Sequence, residues 1–359
     1  YLHNQKFIKK ASKKMAGYRG QVIAITGSFG KTSTKLLFNQ ALGLFYSCLA
    51  TEKSYNTELG ISIFINKIPD LNVYDYLIFE FGASHPKDIA KLKKIAPPDI
   101  VVVTEIGLMH VETFGNLDNI IREKMSIIDG AKLAILNYDC NYIRSYPVPK
   151  EVKVLSYGFE YGNYRGELED QTLSLYYNEV LLGDFKHQLV GTHQSLNLLG
   201  VLALCHHLGC DLEKLRRGVY GFHGVKNRLE VKKIKNRTIL DDSFNSNYKG
   251  FIEALNVLKQ SEGKRILLTP GMVELGKYKK EMFHNLVSYI VASTDIIILI
   301  GYFQTRSLYE DLKTYSKEVY IVRNFMEGYA LYMMLVQMED ESMLLIENDV
   351  PDLYKVGLL

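Results

Sequence analysis

The first third of the chain alternates short apolar, β-branched runs with longer stretches whose apolar residues recur at helical spacing. The runs at 21–25, 76–81 and 100–104 predict strands, and the stretches at 31–44 and 86–94 predict helices. Strands that alternate with helices favour a mostly parallel sheet with helices on both faces. We therefore predict an α/β domain in this part of the chain.

The middle of the chain changes to alternating aromatic and polar positions. The alternation runs from 151 to 189 and includes glycine turns such as that at Gly162, which predicts a small antiparallel β-insert. Helical periodicity returns at 195–207 and at 211–218, with Gly209 between them as a helix cap.

A second alternation of strands and helices begins near Leu229. Its apolar runs predict strands at 238–240, 265–269, 296–300, 319–322 and 342–346. The stretches between them predict helices at 250–260, 279–292, 307–315 and 326–338. This pattern indicates a Rossmann-like C-terminal domain. The predicted organisation is a stub or linker at 1–20, a central domain at 21–226 and the C-terminal domain at 227–359.

Length and charge narrow the classes of function. A chain of 359 residues is longer than one ordinary core requires, in agreement with two or three domains. A net charge of +3, with cations and acids interspersed, lacks the electrostatic footprint of a nucleic-acid-binding protein. The sequence contains no run of about eighteen apolar residues and no signal peptide, so we expect a cytoplasmic location. Nothing in the sequence indicates an oligomeric state.

One dense basic run stands near the N-terminus. It contains five lysines, namely Lys6, Lys9, Lys10, Lys13 and Lys14. A solvated helix face is the favoured interpretation, and the flank of a membrane segment is the alternative. Membrane association is otherwise expected only through a segment upstream of Tyr1.

The first predicted strand leads into a glycine-containing loop at the start of the next predicted helix. The loop and the first helical residues offer backbone N–H groups, hydroxyls and a lysine, in Gly27, Ser28, Gly30, Lys31, Thr32 and Ser33. N–H groups at a helix N-terminus bind phosphates, Lys31 can reach the terminal phosphates, and the Thr32 hydroxyl can ligate Mg²⁺. The strict Walker pattern has glycine where Ile25 stands. We predict that this loop binds ATP and that the central domain is of the P-loop type.

Two further polar residues follow predicted strands. Glu80 stands at the end of the strand at 76–81, and His110 comes shortly after the strand at 100–104. Because the carboxyl ends of parallel strands form the ligand crevice of such a sheet, both are expected near the loop. Glu80 suits a Mg²⁺ ligand. His110 has a structural interpretation as well as a functional one.

Several ordered motifs together resemble those of the Mur ligase family of amide-forming enzymes. The first is T-G-S-x-G-K-T at 26–32, and the others are N-T-E-L-G at 56–60, E-F-G-A-S at 80–84, H-V-E-T-F-G at 110–115, G-T-H-Q-S-L-N at 191–197, N-R-L-E at 227–230, D-D-S-F-N-S-N at 241–247 and G-M-V-E-L-G at 271–276. The resemblance covers nearly the whole chain and accounts for the missing Walker glycine. The motifs are most similar to those of the family members that add D-alanyl-D-alanine in peptidoglycan precursor synthesis.

The resemblance implies an ATP-dependent ligase that forms an amide (peptide) bond through an acyl phosphate. A substrate carboxylate would attack the γ-phosphate of ATP, and an amine would then attack the phosphorylated acid. The expected partners are small or peptide-like molecules, one with a carboxylate and one with an amine. Nucleic acid is not an expected partner.

The resemblance also implies roles for individual residues. The implied catalytic residues are Lys31, Glu80, His110, Lys124 and Arg228. The implied ligands of two Mg²⁺ ions are Thr32, Glu80, His110 and Lys124, the last as a carbamate formed with CO₂. The implied contacts of ATP beyond the loop are Asn197, Arg228, Asp242 and Asn245. The implied substrate contacts are Asn56 and Thr57.

The chain departs from the D-alanyl-D-alanine-adding members at both ends. Twenty residues precede the first predicted strand, so their N-terminal UDP-binding domain is expected to be missing. Their K-G-S segment after the last strand is replaced by E-N-D-V-P-D at 347–352. Two alternatives therefore stay open. One is a ligase of the same fold for a polyglutamate, a cofactor acid or a lipid-linked precursor, and the other is a nucleotide-binding subunit that needs a partner for catalysis.

Overall fold

The computed structural model describes residues 2–52, 55–244, 247–272, 275–315, 318–336 and 341–348. The chain divides into two compact units, Tyr1–His223 and Gly224–Leu359. In the described part of each unit the strands form a single sheet with its own apolar core. No helix among the described residues combines the length and the apolar character that a membrane crossing requires.

The sheet of the first unit is mostly parallel. Its strands are β1 (Gln21–Thr26), β2 (Cys48–Ala50), β3 (Tyr76–Glu80), β4 (Ile100–Val103), β5 (Leu133–Asn137), β6 (Lys153–Gly158), β7 (Tyr164–Glu169), β8 (Thr172–Tyr177) and β9 (Val180–Lys186). They lie in the order β2-β3-β1-β4-β5-β6-β7-β8-β9. Pairing is parallel as far as β7 and antiparallel from β7 to β9. All residues of β3, β4 and β5 are buried, as in a sheet covered on both faces.

The antiparallel strands occur within the segment where the alternation predicted them, and they extend the edge of the parallel sheet. The first strand of that segment, β6, pairs parallel with β5 and so belongs to the parallel part. Alternation of aromatic and polar residues predicts that a strand has one covered face, but it carries no information about the direction of the neighbouring strand.

Helices connect the strands of the first unit. They are α1 (Leu2–Met15), α2 (Lys31–Leu42), α3 (Glu58–Lys67), α4 (Asp88–Ile95), α5 (Val111–Phe114), α6 (Leu117–Met125), α7 (Asn141–Arg144), α8 (Thr192–His207) and α9 (Leu212–Val219). Helices α2 and α8 pack against each other, and their apolar residues share one core with β1. Because α2 begins directly after the glycine loop, this packing sets the position of the loop.

The first twenty residues, expected to be a stub or linker, contain helix α1. It packs against α3 and α4. The Asn66 side-chain amide donates to the Phe7 carbonyl at 3.0 Å, and Lys14 Nζ donates to the Ile65 carbonyl at 3.2 Å. Lys14 thereby contacts the C-terminal turn of α3, where carbonyl groups lack helical partners.

The second unit contains a six-stranded sheet in its described part. Its strands are β10 (Glu230–Ile234), β11 (Arg237–Asp242), β12 (Lys264–Thr269), β13 (Ile296–Ile300), β14 (Glu318–Val322) and β15 (Ser342–Glu347). Its helices are α10 (Tyr248–Lys259), α11 (Lys279–Ser293), α12 (Tyr302–Leu312) and α13 (Phe325–Leu335). The strand order is β10-β11-β15-β12-β13-β14, and pairing is parallel except between β10 and β11. The predicted α/β class with a second Rossmann-like unit is confirmed.

Candidate active site

The predicted phosphate loop lies tightly against the segment that follows β4. Gly27 has φ 152° and Gly30 has φ 80°, conformations that favour glycine. A Cβ atom on Gly27 would lie 2.1 Å from Thr104 Oγ1 and 3.0 Å from the Glu105 carbonyl oxygen. Position 27 therefore requires glycine for two reasons, its backbone conformation and the close approach of the neighbouring segment.

Ser28 attaches the loop to the same segment. Its N–H donates to the Glu105 carbonyl at 2.6 Å, and its hydroxyl donates to the Gly107 carbonyl at 2.9 Å. The Gly107 N–H donates back to the Ser28 hydroxyl at 3.0 Å. These bonds give Ser28 a supporting position, and its predicted contact with ATP stays a prediction.

Lys31, the first residue of α2, points its amine back at the loop. Its Nζ donates to the carbonyls of Gly27 and Ser28 at 2.9 and 3.1 Å. The next residue, Thr32, is buried and donates its hydroxyl to Glu80 Oε2 at 2.8 Å. The first turn of α2 thus presents a cation and a hydroxyl at the end of β3, as the loop motif predicts.

Glu80 is the centre of the hydrogen-bond array under the loop. It is 2% exposed and accepts from the Thr32 hydroxyl and, at 3.1 Å, from Asn56 Nδ2. Burial alone would raise the pKa of this carboxyl. The charges of Lys31 and Lys35, with the two hydrogen bonds, outweigh burial and hold the pKa below its usual value. Glu80 is therefore an ionised, buried carboxylate.

Lys35 was not among the residues predicted for the site. It is 4% exposed, and its Nζ lies 3.7 Å from Glu80 Oε2. Residues four apart on a helix share one face, so the position of Lys35 one turn after Lys31 was the signal that could have identified it.

Lys124, in the last turn of α6, also contacts the loop. It is 1% exposed, and its Nζ donates to the Gly27 carbonyl at 3.0 Å, the same oxygen that Lys31 contacts. Burial, reinforced by the charge of Lys31, lowers the pKa of Lys124 to about 7 against the opposing carboxylates Glu123 and Glu80. A large fraction of Lys124 is therefore an uncharged amine at neutral pH.

The donors in this cluster suit magnesium better than a soft metal. They are the Thr32 hydroxyl and the ionised carboxylate of Glu80, both hard oxygen ligands. Among the described residues, no three His, Cys, Asp or Glu side chains gather as a metal site would require. Mg²⁺ commonly retains water molecules and binds substrate phosphates, so one carboxylate and one hydroxyl fit it without further protein ligands.

Two predicted site residues have positions that do not by themselves establish a role. His110 is half-buried, has φ 54° and immediately precedes helix α5 as its N-cap residue. The Thr113 hydroxyl donates to the Ser84 carbonyl, which brings the start of α5 close to the segment after β3. Thr57 caps helix α3 by accepting from the Gly60 N–H at 3.2 Å. Metal binding by His110 and substrate binding by Thr57 stay predictions.

Asn197 lies beside the loop, although the sequence separates them widely. It is 6% exposed, and a Cβ atom on Gly30 would lie 2.9 Å from its Oδ1. Its Nδ2 is buried and has no hydrogen-bond partner among the described residues. A buried amide donor without a partner is costly, and a ligand acceptor would satisfy it. Ser33 is buried nearby and its hydroxyl accepts from Gln194 Nε2 at 3.3 Å.

The second unit has its own cluster at the carboxyl end of β11. The Leu229 N–H donates to Asp242 Oδ1 at 3.1 Å, and the Arg228 guanidinium lies 4.6 Å from the centre of the Phe244 ring. Asn245, a predicted ATP contact, lies outside the described residues. Burial raises the pKa of Asp242 to about 6, although Arg228 opposes the rise.

Asp242 should make the free energy of unfolding fall as pH rises, which is opposite to the effect of an aspartate whose pKa is lowered by folding. The folded chain keeps a proton on this carboxyl between the unfolded value of 3.8 and the folded value of about 6. The unfolded chain releases it, so this residue lowers the free energy of unfolding by up to about 3 kcal/mol as pH rises through that window. Asp242→Asn should remove this contribution in urea unfolding followed at several pH values.

Asp241→Asn is the matched control. Lys232 and the neighbouring donors Ser243 and Asn227 outweigh burial and hold the pKa of Asp241 below its usual value. Asp241 therefore contributes stability above the unfolded pKa that is lost as pH falls. Its replacement should change the pH dependence in the opposite direction, and equal slopes for both variants would contradict the assignment.

Comparison with protein families gives two matches. The Mur ligase middle domain matches residues 25–205, and the Mur ligase, glutamate ligase domain matches residues 227–346. The solved structure of MurF ligase from Thermotoga maritima in complex with ADP has a TM-score of 0.84 and 26% identity. It covers 98% of this chain and 81% of that one. MurF from Acinetobacter baumannii has a TM-score of 0.86 at 23% identity, covers 99% of this chain and 79% of that one, and shows the fold alone.

The relatives found by sequence are ligases of the same family as these solved structures. The UDP-N-acetylmuramoyl-tripeptide–D-alanyl-D-alanine ligase of Escherichia coli (strain K12) is 30% identical over 281 residues, which cover 71% of this chain and 59% of that protein. The enzyme of the same name from Buchnera aphidicola (subspecies Baizongia pistaciae, strain Bp) is 26% identical over 292 residues, 77% of this chain and 61% of that protein. The chain thus spans about three fifths of the length of these relatives.

The motif-based resemblance is thereby confirmed. The middle-domain match begins at the end of β1 and includes the phosphate loop, Glu80 and Lys124. Since that match alone takes in more than half of the sequence and the second match follows it in order, this chain belongs to the Mur ligase family.

Proposed function

We propose that the chain is an ATP-dependent ligase that joins D-alanyl-D-alanine to the peptide of a UDP-N-acetylmuramoyl-tripeptide. The reaction is the one in the names of the relatives at 26–30% identity. The observation that carries the proposal is the array centred on Glu80. It joins the hydroxyl of the phosphate loop to Asn56, which starts the predicted substrate loop, through one buried carboxylate.

The loop residues account for the first step. The carboxylate of the tripeptide attacks the γ-phosphorus of ATP, the bond to the β-phosphate oxygen breaks, and ADP leaves. Lys31, whose amine lies against the loop carbonyls, neutralises charge on the transferring phosphoryl group. Arg228 of the second unit is the further cation that we propose for this step, and Asn197, Asp242 and Asn245 are the proposed contacts of the nucleotide.

The second step forms the amide. The amine of the dipeptide attacks the carbonyl carbon of the acyl phosphate, phosphate leaves, and the amine nitrogen loses a proton. Asn56 is oriented by its hydrogen bond to Glu80, so it can present its carbonyl oxygen to a substrate N–H group. Holding both substrates in one site supplies the orientation that the second step requires.

Magnesium is the proposed cofactor, and Thr32, Glu80 and His110 would hold it. When bound, it would neutralise the phosphate charges of ATP.

Lys124 would add an anionic ligand for a second ion after its uncharged amine attacks CO₂. In that reaction a C–N bond forms, a proton leaves to water, and the product is a carbamate. Because the amine is buried and its pKa is about 7, it is a competent nucleophile at neutral pH. We propose a cytoplasmic location for the reaction.

The proposal is tested by product formation from defined substrates. The chain is incubated with ATP, Mg²⁺, UDP-N-acetylmuramoyl-tripeptide and D-alanyl-D-alanine, and both ADP and the joined peptide are measured. One ADP should appear for each amide formed, and L-alanyl-L-alanine, the matched control, should give little of either product. ADP release without amide formation, or equal rates with any carboxylic acid in place of the UDP-linked peptide, would contradict the proposal.

A further inference from the structure

Helix α1 presents one face made of lysines. At about 100° per residue, Lys6, Lys9, Lys10 and Lys13 fall within an arc of about 100° around the helix axis. All four are exposed. We call this set of four residues the lysine stripe.

The rest of α1 fixes the stripe to the first unit. Ala11 is 0% exposed and Met15 is 6% exposed, and both lie on the side of the helix opposite the stripe. Lys14 lies between the two faces, and its amine donates to the carbonyls of Ile65 and Ile68 at the end of α3. The four ammonium groups are therefore displayed by a docked helix rather than by a free chain end.

The charge of the stripe is uncompensated locally. Helix α1 contains no acidic residue, and the first in the chain is Glu52. Among the residues that the structure describes, none of the four lysines forms an ion pair with a carboxylate. Like charges three and four residues apart destabilise a helix. The stripe therefore opposes the stability of α1, and its charge suits an external anionic partner.

We propose that the lysine stripe binds the anionic surface of a lipid bilayer, with α1 lying along the plane of the membrane. Protein interfaces depend on aromatic or aliphatic anchors at their centre, and the stripe contains none. Sites for single-stranded nucleic acid combine basic residues with aromatic side chains on which the bases stack, and the stripe contains no aromatic residue. A row of flexible, hydrated ammonium groups matches a layer of mobile anionic headgroups, because neither side requires fixed geometry.

The strength of binding follows from the number of lysines. Each lysine near an anionic membrane surface contributes about fivefold to the partition coefficient, so four together contribute more than about a hundredfold. The attraction is screened beyond about 8 Å at physiological ionic strength. Binding should therefore weaken steeply as salt is added. This inference does not depend on the identity of the ligase substrates.

Vesicle flotation with the full chain tests the proposal. The probes are vesicles of phosphatidylcholine and phosphatidylglycerol mixed three to one, and vesicles of phosphatidylcholine alone. The chain should float with the anionic vesicles and not with the neutral ones. The variant with Lys6→Gln, Lys9→Gln, Lys10→Gln and Lys13→Gln should bind the anionic vesicles at least about a hundredfold more weakly.

A matched control removes the same charge elsewhere. It carries Lys150→Gln, Lys186→Gln, Lys233→Gln and Lys259→Gln, all at exposed positions outside α1. It should retain most of the vesicle binding. Both variants should keep the ADP release of the parent chain, and neither should unfold at a lower temperature than the parent. Equal binding by the stripe variant and the parent would overturn the proposal. So would equal losses in the two variants, or displacement of the parent from vesicles by duplex DNA at equal phosphate concentration.

Discussion

Replacing Lys31 by alanine should reduce ADP release by at least about 10³-fold. The amine of Lys31 lies 2.9 Å from the Gly27 carbonyl at the base of the loop, where the terminal phosphates of ATP would lie. Its loss removes a cation whose interaction with the transferring phosphoryl group strengthens in the transition state. The measurement is the initial rate of ADP release at saturating ATP, together with ATP affinity by calorimetry.

The variant should fold normally, because Lys31 is only half-buried. Lys94→Ala, at an exposed position on α4, is the control for loss of a lysine from the same unit and should retain activity. Thermal unfolding of both variants should match that of the parent chain. A Lys31→Ala variant that released ADP at nearly the parent rate would remove the loop from the mechanism.

Replacing Lys124 by alanine should reduce activity by about 10²- to 10³-fold, and a short carboxylic acid such as propionate should restore part of it. Lys124 is fully buried at the loop and has a pKa of about 7, so the parent chain can carry a carbamate there. Alanine leaves a cavity of side-chain length beside Gly27. A small carboxylate that enters it would supply two oxygens in place of those of the proposed carbamate.

Lys124→Met and Lys124→Arg distinguish this role from a structural one. Methionine retains the length and the apolar stem but cannot bind CO₂, and arginine retains a positive charge. Both should be as inactive as the alanine variant, and the methionine variant should remain stably folded. The parent chain should lose activity when bicarbonate is removed and should incorporate ¹³C from labelled bicarbonate. Full activity of Lys124→Met would show that the lysine does not act through a carbamate.

The two substitutions remove side chains that contact the same backbone oxygen. The Gly27 carbonyl accepts hydrogen bonds from both Lys31 and Lys124, and the charge of Lys31 is one reason that the pKa of Lys124 is low. Conversion of Lys124 to a carbamate would exchange repulsion between the two amines for attraction. Lys31→Ala should therefore also change the amount of ¹³C that Lys124 incorporates from labelled bicarbonate. Because each side chain affects the other, the effects of the two substitutions on activity should not be additive.

Most elements of the fold followed from residue patterns. The strand predicted at 296–300 coincides with β13, because a short run of five aliphatic residues is typical of a strand that is covered on both faces. Helix α12 begins at Tyr302, five residues before the predicted start. Its first turn carries the exposed Tyr302 and Phe303, so that turn lacks an apolar face directed at the core.

Strand β10 was not predicted at all. Within Glu230–Ile234 no residue is buried, so the alternation that identifies a strand is absent. The strand is defined by its antiparallel hydrogen bonds to β11. Because such pairing depends on the backbone of the neighbouring strand, the side-chain sequence of an exposed edge strand gives little indication of it.

The phosphate loop could be predicted from the sequence alone, because glycines, a lysine and a hydroxyl at a strand-to-helix turn have a local chemical meaning. The sequence also indicated that Glu80 lies at the same sheet edge, through the rule for the ends of parallel strands. Helical spacing could have placed Lys35 on the face of Lys31, but the folded structure was needed to show that Lys35 approaches Glu80 and that Lys124, 97 residues from Gly27, donates to the Gly27 carbonyl. Those contacts, and the lowered pKa of Lys124, depend on distances and burial that arise when helices pack on the sheet, and no local pattern encodes either quantity.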